Sequence, residues 1–134
     1  MFSHVTIGAN DMARAARFYD AFLAPLGIAR FWTSDDGRVI GWKREGEAAK
    51  LFVGSAFDGR PASAGNGTMV ALTAPSPDAV RRAHAAALQA GGMDEGAPGP
   101  RPQYTPDYYG AYVRDPEGNK LHAVYRGPPE TALA

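Results

Sequence analysis

Residues 108–126 read YYGAYVRDPEGNKLHAVYR. They contain two stretches with the two-residue alternation of a β-strand, separated by one turn. On each side of the segment DPEGN, apolar residues recur at alternate positions, as expected when successive side chains point to opposite faces of a sheet. Pro116 and Gly118 supply turn chemistry between the two runs. The segment therefore predicts a β-hairpin.

His122 is the unusual residue of this hairpin. Its neighbours Leu121, Ala123 and Val124 are apolar, so its ring is expected inside a sheet. A buried imidazole must be hydrogen-bonded or bound to a ligand. His122 is therefore a candidate functional residue.

The rest of the chain reads as two halves with the same order of elements. Residues 1–57 predict a strand, a helix that begins after Asp11, and three further strands. Residues 68–126 predict a strand, a helix and the final strands, ending in the hairpin. Between them the segment 58–67, DGRPASAGNG, lacks periodicity and predicts a surface linker.

This order predicts an α+β fold of one domain, in which two βαβββ modules pair into a curved mixed sheet around a central trough. Aligning the two modules equates His4 with Met69 and Phe52 with His122. By strand alternation, all four side chains are expected to point into the trough.

The segment from Met93 to Asp107 is interrupted repeatedly by glycine and proline. We expect at most a short irregular strand there, because proline cannot donate to a strand ladder. A long loop inside a compact domain is typical of a functional segment, so this one is predicted to cover the trough as a lid.

Composition restricts the partners. The 134 residues carry 14 Lys and Arg against 14 Asp and Glu, which leaves no basic field for nucleic acid and no charged face for a membrane. With no cysteine, thiolate metal sites and cysteine nucleophiles are excluded. No apolar run reaches the ~20 residues of a membrane span and the first residues lack a basic signal region, so a cytoplasmic protein with a small-molecule partner is expected.

The first residues, HVTIGANDMARAARFYDAFLAPLGI, and the final hairpin together resemble the vicinal oxygen chelate superfamily. This superfamily includes glyoxalase I, bleomycin resistance proteins, fosfomycin-modifying enzymes and extradiol dioxygenases. The resemblance implies a glyoxalase-like fold, a homodimer, and metal ligands at positions that correspond here to His4, Phe52, Met69 and His122. Phe52 cannot ligate, and the Met69 thioether suits copper(I) better than harder divalent ions, so His4 and His122 are the candidate metal ligands, for Zn, Mn, Fe or Ni. Two imidazoles would need water or substrate to complete the coordination shell.

Apolar and aromatic residues near the predicted trough indicate a partly aromatic ligand. The candidate ligand-binding residues are Trp42, Phe52, Met69, Arg101, Tyr104 and Tyr109. For any one aromatic residue, ordinary core packing is the alternative interpretation.

Two functions remain open. The chain could be a metal-dependent lyase, isomerase or dioxygenase acting on a substrate with vicinal oxygens. Such an enzyme needs a base, and no carboxylate stands at the four positions. The alternative is a metal-free protein that binds a small, partly apolar or aromatic molecule in the cleft between the modules, and the missing ligands favour it.

Overall fold

The structure is a computed structural model that describes residues 1–127. Two helices and eight strands follow one another in the order predicted for two modules. The elements are β1 (His4–Gly8), α1 (Met12–Leu23), β2 (Ile28–Thr33), β3 (Val39–Arg44), β4 (Lys50–Gly54), β5 (Met69–Thr73), α2 (Pro77–Gln89), β6 (Met93–Pro100), β7 (Tyr108–Arg114) and β8 (Lys120–Arg126). Neither helix in this range is long and apolar enough to cross a membrane.

The two halves form equivalent four-stranded mixed sheets, which confirms the predicted α+β class. The strand orders are β1-β4-β3-β2 and β5-β8-β7-β6, and the first strand of each module is parallel to its neighbour. The register is also the same: His4 lies beside Lys50 and Met69 beside Lys120, while Thr6 pairs with Phe52 as Ala71 does with His122. The repeat inferred from the sequence is therefore present strand by strand.

Both helices begin at the side chains that the sequence indicates. The Asp11 carboxylate accepts a hydrogen bond from the Arg14 amide, and Ser76 Oγ accepts one from the Ala79 amide, with Pro77 in the first turn. After α1 a short 3₁₀ turn ends at Gly27, whose φ of 77° favours glycine. The two helices pack together against one face of the sheets, and the apolar core lies in that layer.

The turn DPEGN joins the two modules as well as the two strands of the hairpin. Asp115 is buried and its carboxylate accepts a 2.5 Å hydrogen bond from the Tyr19 hydroxyl of α1. The Glu117 carboxylate accepts hydrogen bonds from the amides of Asn10 and Asp11, where α1 begins. Asn119 donates to the Gly8 carbonyl of β1. One turn therefore holds the first helix and the first strand against the second module.

Burial of the Tyr19 hydroxyl, together with the adjacent Asp115 carboxylate, holds the pKa of Tyr19 well above its usual value. Tyr19 is therefore a neutral donor to Asp115 near neutral pH.

Strand β6 is longer than the sequence predicts. Met93–Pro100 is eight residues long and pairs with β7 at both ends, although the register shifts on both sides of Gly96. Because β6 is an edge strand, its prolines interrupt no second ladder. The unpaired part of the predicted lid is therefore confined to residues 101–107.

Candidate functional site

Each sheet has one face on the helices and one open face, and the predicted site residues divide between them. His4, Phe52, Met69 and His122 lie on the open faces, because the residues beside them in the strands, such as Leu51 and Leu121, are buried in the core. Each of the four residues therefore lies on the open face of its own sheet, and the groove described below contains only His4 and Phe52 of the four.

Trp42 and Tyr109 lie on the helix side instead. Trp42 is fully buried, contacts the ring of Tyr19 and donates a hydrogen bond to Asp20, so it is mainly a core residue. Tyr109 packs against the core and its hydroxyl accepts a hydrogen bond from Arg81 of α2. These two residues share a strand face with core residues, although Trp42 lines a pocket together with His4 of the open-face set.

An aromatic cluster covers the open face of the first sheet. Phe52 contacts His4, Phe31 and Trp32, with ring centroids 5.5 to 6.1 Å apart. The register of β2 shifts between Arg30 and Trp32, and this bulge lets consecutive aromatic residues approach the same ring. We call this set, His4, Phe31, Trp32 and Phe52, the first-sheet cluster.

Gly41 makes room for the first-sheet cluster. A Cβ atom at this position would lie 2.8 Å from the rings of both Phe31 and Phe52, so only glycine lets the two rings lie over β3 in this way. The glycine therefore shapes the open face directly.

A groove of about 800 Å³ runs along the first-sheet cluster. Its floor includes His4, Trp32 and Phe52, and its wall is formed by residues 55–58 and 61–63, which follow β4 into the linker. Trp32 is 46% exposed and Phe57 extends fully into solvent. A groove of this size, with aromatic rings on its floor and polar groups such as Thr6, Ser55 and Asp58 in its lining, is suited to a small molecule.

The second sheet holds His122 beneath tyrosine rings. Its side chain is fully buried, its ring stacks on Tyr112 at 4.0 Å, and a Cβ atom on Gly110 would collide with it. Nδ1 donates a 2.8 Å hydrogen bond to the Ala111 carbonyl, so Nε2 of the neutral ring accepts the 2.7 Å hydrogen bond from the Tyr108 hydroxyl. The buried imidazole is thus satisfied by protein groups.

The charge state of His122 follows from this environment. Burial lowers its pKa, and the positive charges of Arg101 and Lys120 lower it further, against the opposing effect of the hydrogen bond to Ala111. The ring is therefore neutral near pH 7.

Tyr104 and Arg101 belong to the same tyrosine layer over the second sheet. Burial, together with a hydrogen bond to Tyr104, raises the pKa of Tyr112 to about 12. The Arg101 guanidinium lies 5.7 Å from the Tyr112 ring and donates to the carbonyls of Gly99 and Ala97. Arg101 therefore shapes the start of the loop, in addition to contacting the tyrosine layer.

The residues present do not fit a metal centre. Both ring nitrogens of His122 already have protein partners, while His4 is exposed and packs edge-on against Phe52. Residues 1–127 contain no group of three or more His, Asp or Glu side chains arranged to hold a metal ion. Catalytic zinc sites commonly use three protein ligands, so we derive no chemical step through a metal here.

The candidate ligand-binding residues chosen from the sequence omit Phe31, Trp32, Tyr108 and Tyr112, which surround Phe52 and His122. Tyr108 and Tyr112 share a strand face with Gly110, and that alternation was a usable signal for their position beside His122. For Phe31 and Trp32 no such signal exists, because strict alternation would send consecutive residues to opposite faces.

The sequence profile of the Glyoxalase/Bleomycin resistance protein/Dioxygenase superfamily matches residues 1–123. Together with the paired βαβββ modules, this match shows that the chain belongs to that superfamily. No curated protein is significantly similar to it in sequence.

Solved structures support the same assignment. A glyoxalase/bleomycin resistance protein from Albidiferax ferrireducens T118 is 36% identical, with a TM-score of 0.86 over 93% of this chain and 98% of that one. A glyoxalase-related enzyme from Fulvimarina pelagi is 19% identical, with a TM-score of 0.72 over 93% and 87% of the two chains. TnmS3, an antibiotic-binding protein from Streptomyces sp. CB03234, is 18% identical, with a TM-score of 0.65 over 95% and 96%. The last two similarities concern the fold alone.

Proposed function

We propose that the protein binds a small, partly apolar or aromatic molecule in the groove of the first sheet, without a metal. The observation that carries this proposal is the first-sheet cluster, in which Trp32 and Phe52 present aromatic surface to a groove of about 800 Å³. Aromatic faces that remain exposed on a sheet offer apolar area to a ligand. His4 supplies a polar group at the same surface.

Known relatives in fold are consistent with a binding role. TnmS3 is an antibiotic-binding protein with the same fold. A metal-dependent lyase, isomerase or dioxygenase is less well supported, because His122 is held by Tyr108 and Ala111. Of the other candidate residues, Met69, Arg101 and Tyr104 lie outside the groove lining.

The two tryptophans provide the test, because Trp32 is half-exposed in the groove and Trp42 is fully buried. We would titrate the neutral aromatic probe N-phenyl-1-naphthylamine into the wild type and into the Trp32→Phe variant. Saturable quenching of tryptophan emission is expected in the wild type and should be lost in Trp32→Phe, which keeps only Trp42. Equal quenching in both proteins would contradict the proposed groove.

A second pair of variants tests the aromatic floor. Phe52→Ala should weaken binding of the probe at least tenfold, which corresponds to about 1.4 kcal/mol. Leu88→Ala removes an exposed apolar side chain from α2, outside the groove lining, and should bind like the wild type. If both variants bind the probe as the wild type does, Phe52 is not part of the site.

The proposal includes assembly as a homodimer, as the family resemblance implies. Light scattering at micromolar concentration should give twice the mass of one chain, and the mass of a single chain would contradict the dimer.

A further inference from the structure

All three lysines of the chain, Lys43, Lys50 and Lys120, lie on the open faces of the sheets. Within residues 1–127 none of them forms an ion pair with a carboxylate. Several arginines do form such ion pairs, as Arg14 does with Glu117 and Arg30 with Asp20. The open faces therefore carry positive charge that the described part of the chain does not neutralise.

Two of these lysines are direct neighbours. Lys43 of β3 and Lys50 of β4 are register partners on antiparallel strands, and both are half-buried. His4 of β1 is the register partner of Lys50 on its other side, so the three side chains form a row across the sheet. Like charges placed directly opposite one another destabilise a sheet. An anion beside this row would therefore relieve the repulsion between the two lysines.

The neighbouring groups do not supply that anion. Lys50 donates to the Ala48 carbonyl, and Lys43 Nζ lies 5.3 Å from the centre of the Phe31 ring. Glu47 is the nearby carboxylate, but both of its oxygens accept hydrogen bonds from Arg44.

A pocket of about 210 Å³ opens at this row, in the seam between the two modules. His4, Lys43 and Lys50 line it from the open face. The apolar part of the lining comes mainly from core-side residues of both modules, namely Val5, Ile28, Trp42, Leu51, Val70 and Leu72. The ion pair of Arg44 with Glu47 also lines the pocket. An engineered cavity of about 150 Å³ in another protein binds benzene, so this seam pocket has room for one small ring.

We propose that the seam pocket binds a small monocarboxylic acid with an apolar body. The carboxylate lies between the ammonium groups of Lys43 and Lys50 beside His4, and the body enters the pocket against Val70 and Leu72. An inorganic anion would satisfy the charge but leave the apolar walls unfilled, whereas a neutral hydrophobe would leave the two lysines uncompensated. The pocket meets the groove of the proposed function at His4 but is a separate site.

The test compares benzoate with its neutral counterpart benzamide by calorimetry. In the wild type benzoate should bind at least tenfold more tightly than benzamide. Lys43→Gln and Lys50→Gln should each weaken benzoate at least tenfold and leave benzamide unchanged. Lys120→Gln is the matched control, because Lys120 occupies the position equivalent to Lys50 in the second sheet and does not line the pocket. Its affinity for benzoate should equal that of the wild type.

A stability measurement separates a binding role from a structural one. Because Lys43 and Lys50 repel each other, Lys43→Gln should raise the melting temperature of the ligand-free protein while it weakens benzoate. Variants that lose both stability and binding would contradict the proposal. So would equal binding of benzoate and benzamide, an equal loss in Lys120→Gln, or no benzoate binding up to about 10 mM, the range expected for so small a ligand.

The wild type alone gives a further check that needs no variant. Benzoate affinity should fall as sodium chloride rises from about 0.05 to about 0.5 M, because salt screens the lysines, and benzamide affinity should not.

Probe binding at Trp32 should be unchanged in Lys50→Gln, so failure of this inference and failure of the proposed groove are distinguishable.

Discussion

Tyr108 and His122 lie on adjacent strands, and the Tyr108 hydroxyl donates a 2.7 Å hydrogen bond to Nε2 of His122. Since Nδ1 donates to the Ala111 carbonyl, the fully buried ring has no polar atom left without a partner. The family resemblance places His122 at a metal-ligand position. In this structure both of its ring nitrogens are instead hydrogen-bonded to protein groups. Two predictions follow from this bond.

Removal of the donor should destabilise the fold. Tyr108→Phe leaves Nε2 of His122 buried without a partner, which costs about 1–3 kcal/mol in the free energy of unfolding. Tyr109→Phe is the control at the next position, because its hydroxyl bonds to Arg81 at an exposed site. Urea denaturation of both variants measures the difference, and equal losses would show that the bond to His122 is of no special importance.

The second prediction concerns pH. Because the pKa of His122 is lowered in the folded state, the unfolded chain binds a proton first as the pH falls below about 6.5. The contribution of His122 to stability is complete above that pH and is lost as the pH falls through the folded-state pKa. The free energy of unfolding should therefore decline more steeply between about pH 7.5 and 5.5 in the wild type than in His122→Gln.

His4 and His84 remain in both of these proteins, so the difference in slope reports His122. Identical slopes would show that the ring is not held in the neutral form by burial.

The fold could be predicted from the sequence because local signals agreed with one another. Strand period, the caps Asp11 and Ser76, and the turn at DPEGN all specify elements within a few residues of each other in the chain. The length of β6 was underestimated because a strand tolerates proline only at a sheet edge. Whether a strand lies at an edge is a property of the assembled sheet and cannot be read from the strand's own sequence.

The site was harder to predict, for physical reasons that individual residues illustrate. His122 was identified because a histidine among apolar neighbours needs a partner, and that partner exists. Trp42 lies two residues from Ile40, and Tyr109 two residues from Ala111, so alternation along each strand places both on the core side. They were chosen as candidate ligand-binding residues because they are aromatic, and this alternation was not taken into account. The bulge at β2 and the approach of Lys43 to Lys50 arise from pairing between strands, which alternation within one strand cannot reveal.

A third prediction concerns the contact between the modules. Burial alone would raise the pKa of Glu117, but the hydrogen bonds from the amides of Asn10 and Asp11 and from Arg14 lower it. Glu117→Gln should therefore reduce the free energy of unfolding by about 1 kcal/mol at pH 7, within the range of a lost helix cap. The exposed substitution Glu45→Gln is the control and should change stability little. An unchanged free energy of unfolding in Glu117→Gln would show that the negative charge at the start of α1 is dispensable for stability.

The last prediction uses the repeat to test why the present side chains do not form a metal site. Phe52 and His122 are equivalent in the two sheets, and so are His4 and Met69. Phe52→His would place a second imidazole beside exposed His4, whose ring is 5.5 Å from that of Phe52. Met69→His would instead place one beside His122, whose two nitrogens are already hydrogen-bonded.

Zinc affinity should therefore rise at least tenfold in Phe52→His, about 1.4 kcal/mol, and rise less in Met69→His. Calorimetry on tag-free proteins measures both, and the double variant His4→Ala with Phe52→His should lose the gain. A Met69→His variant that binds zinc as tightly as Phe52→His would mean that His122 readily exchanges its bond to Tyr108 for a metal, and would return His122 to the set of ligands.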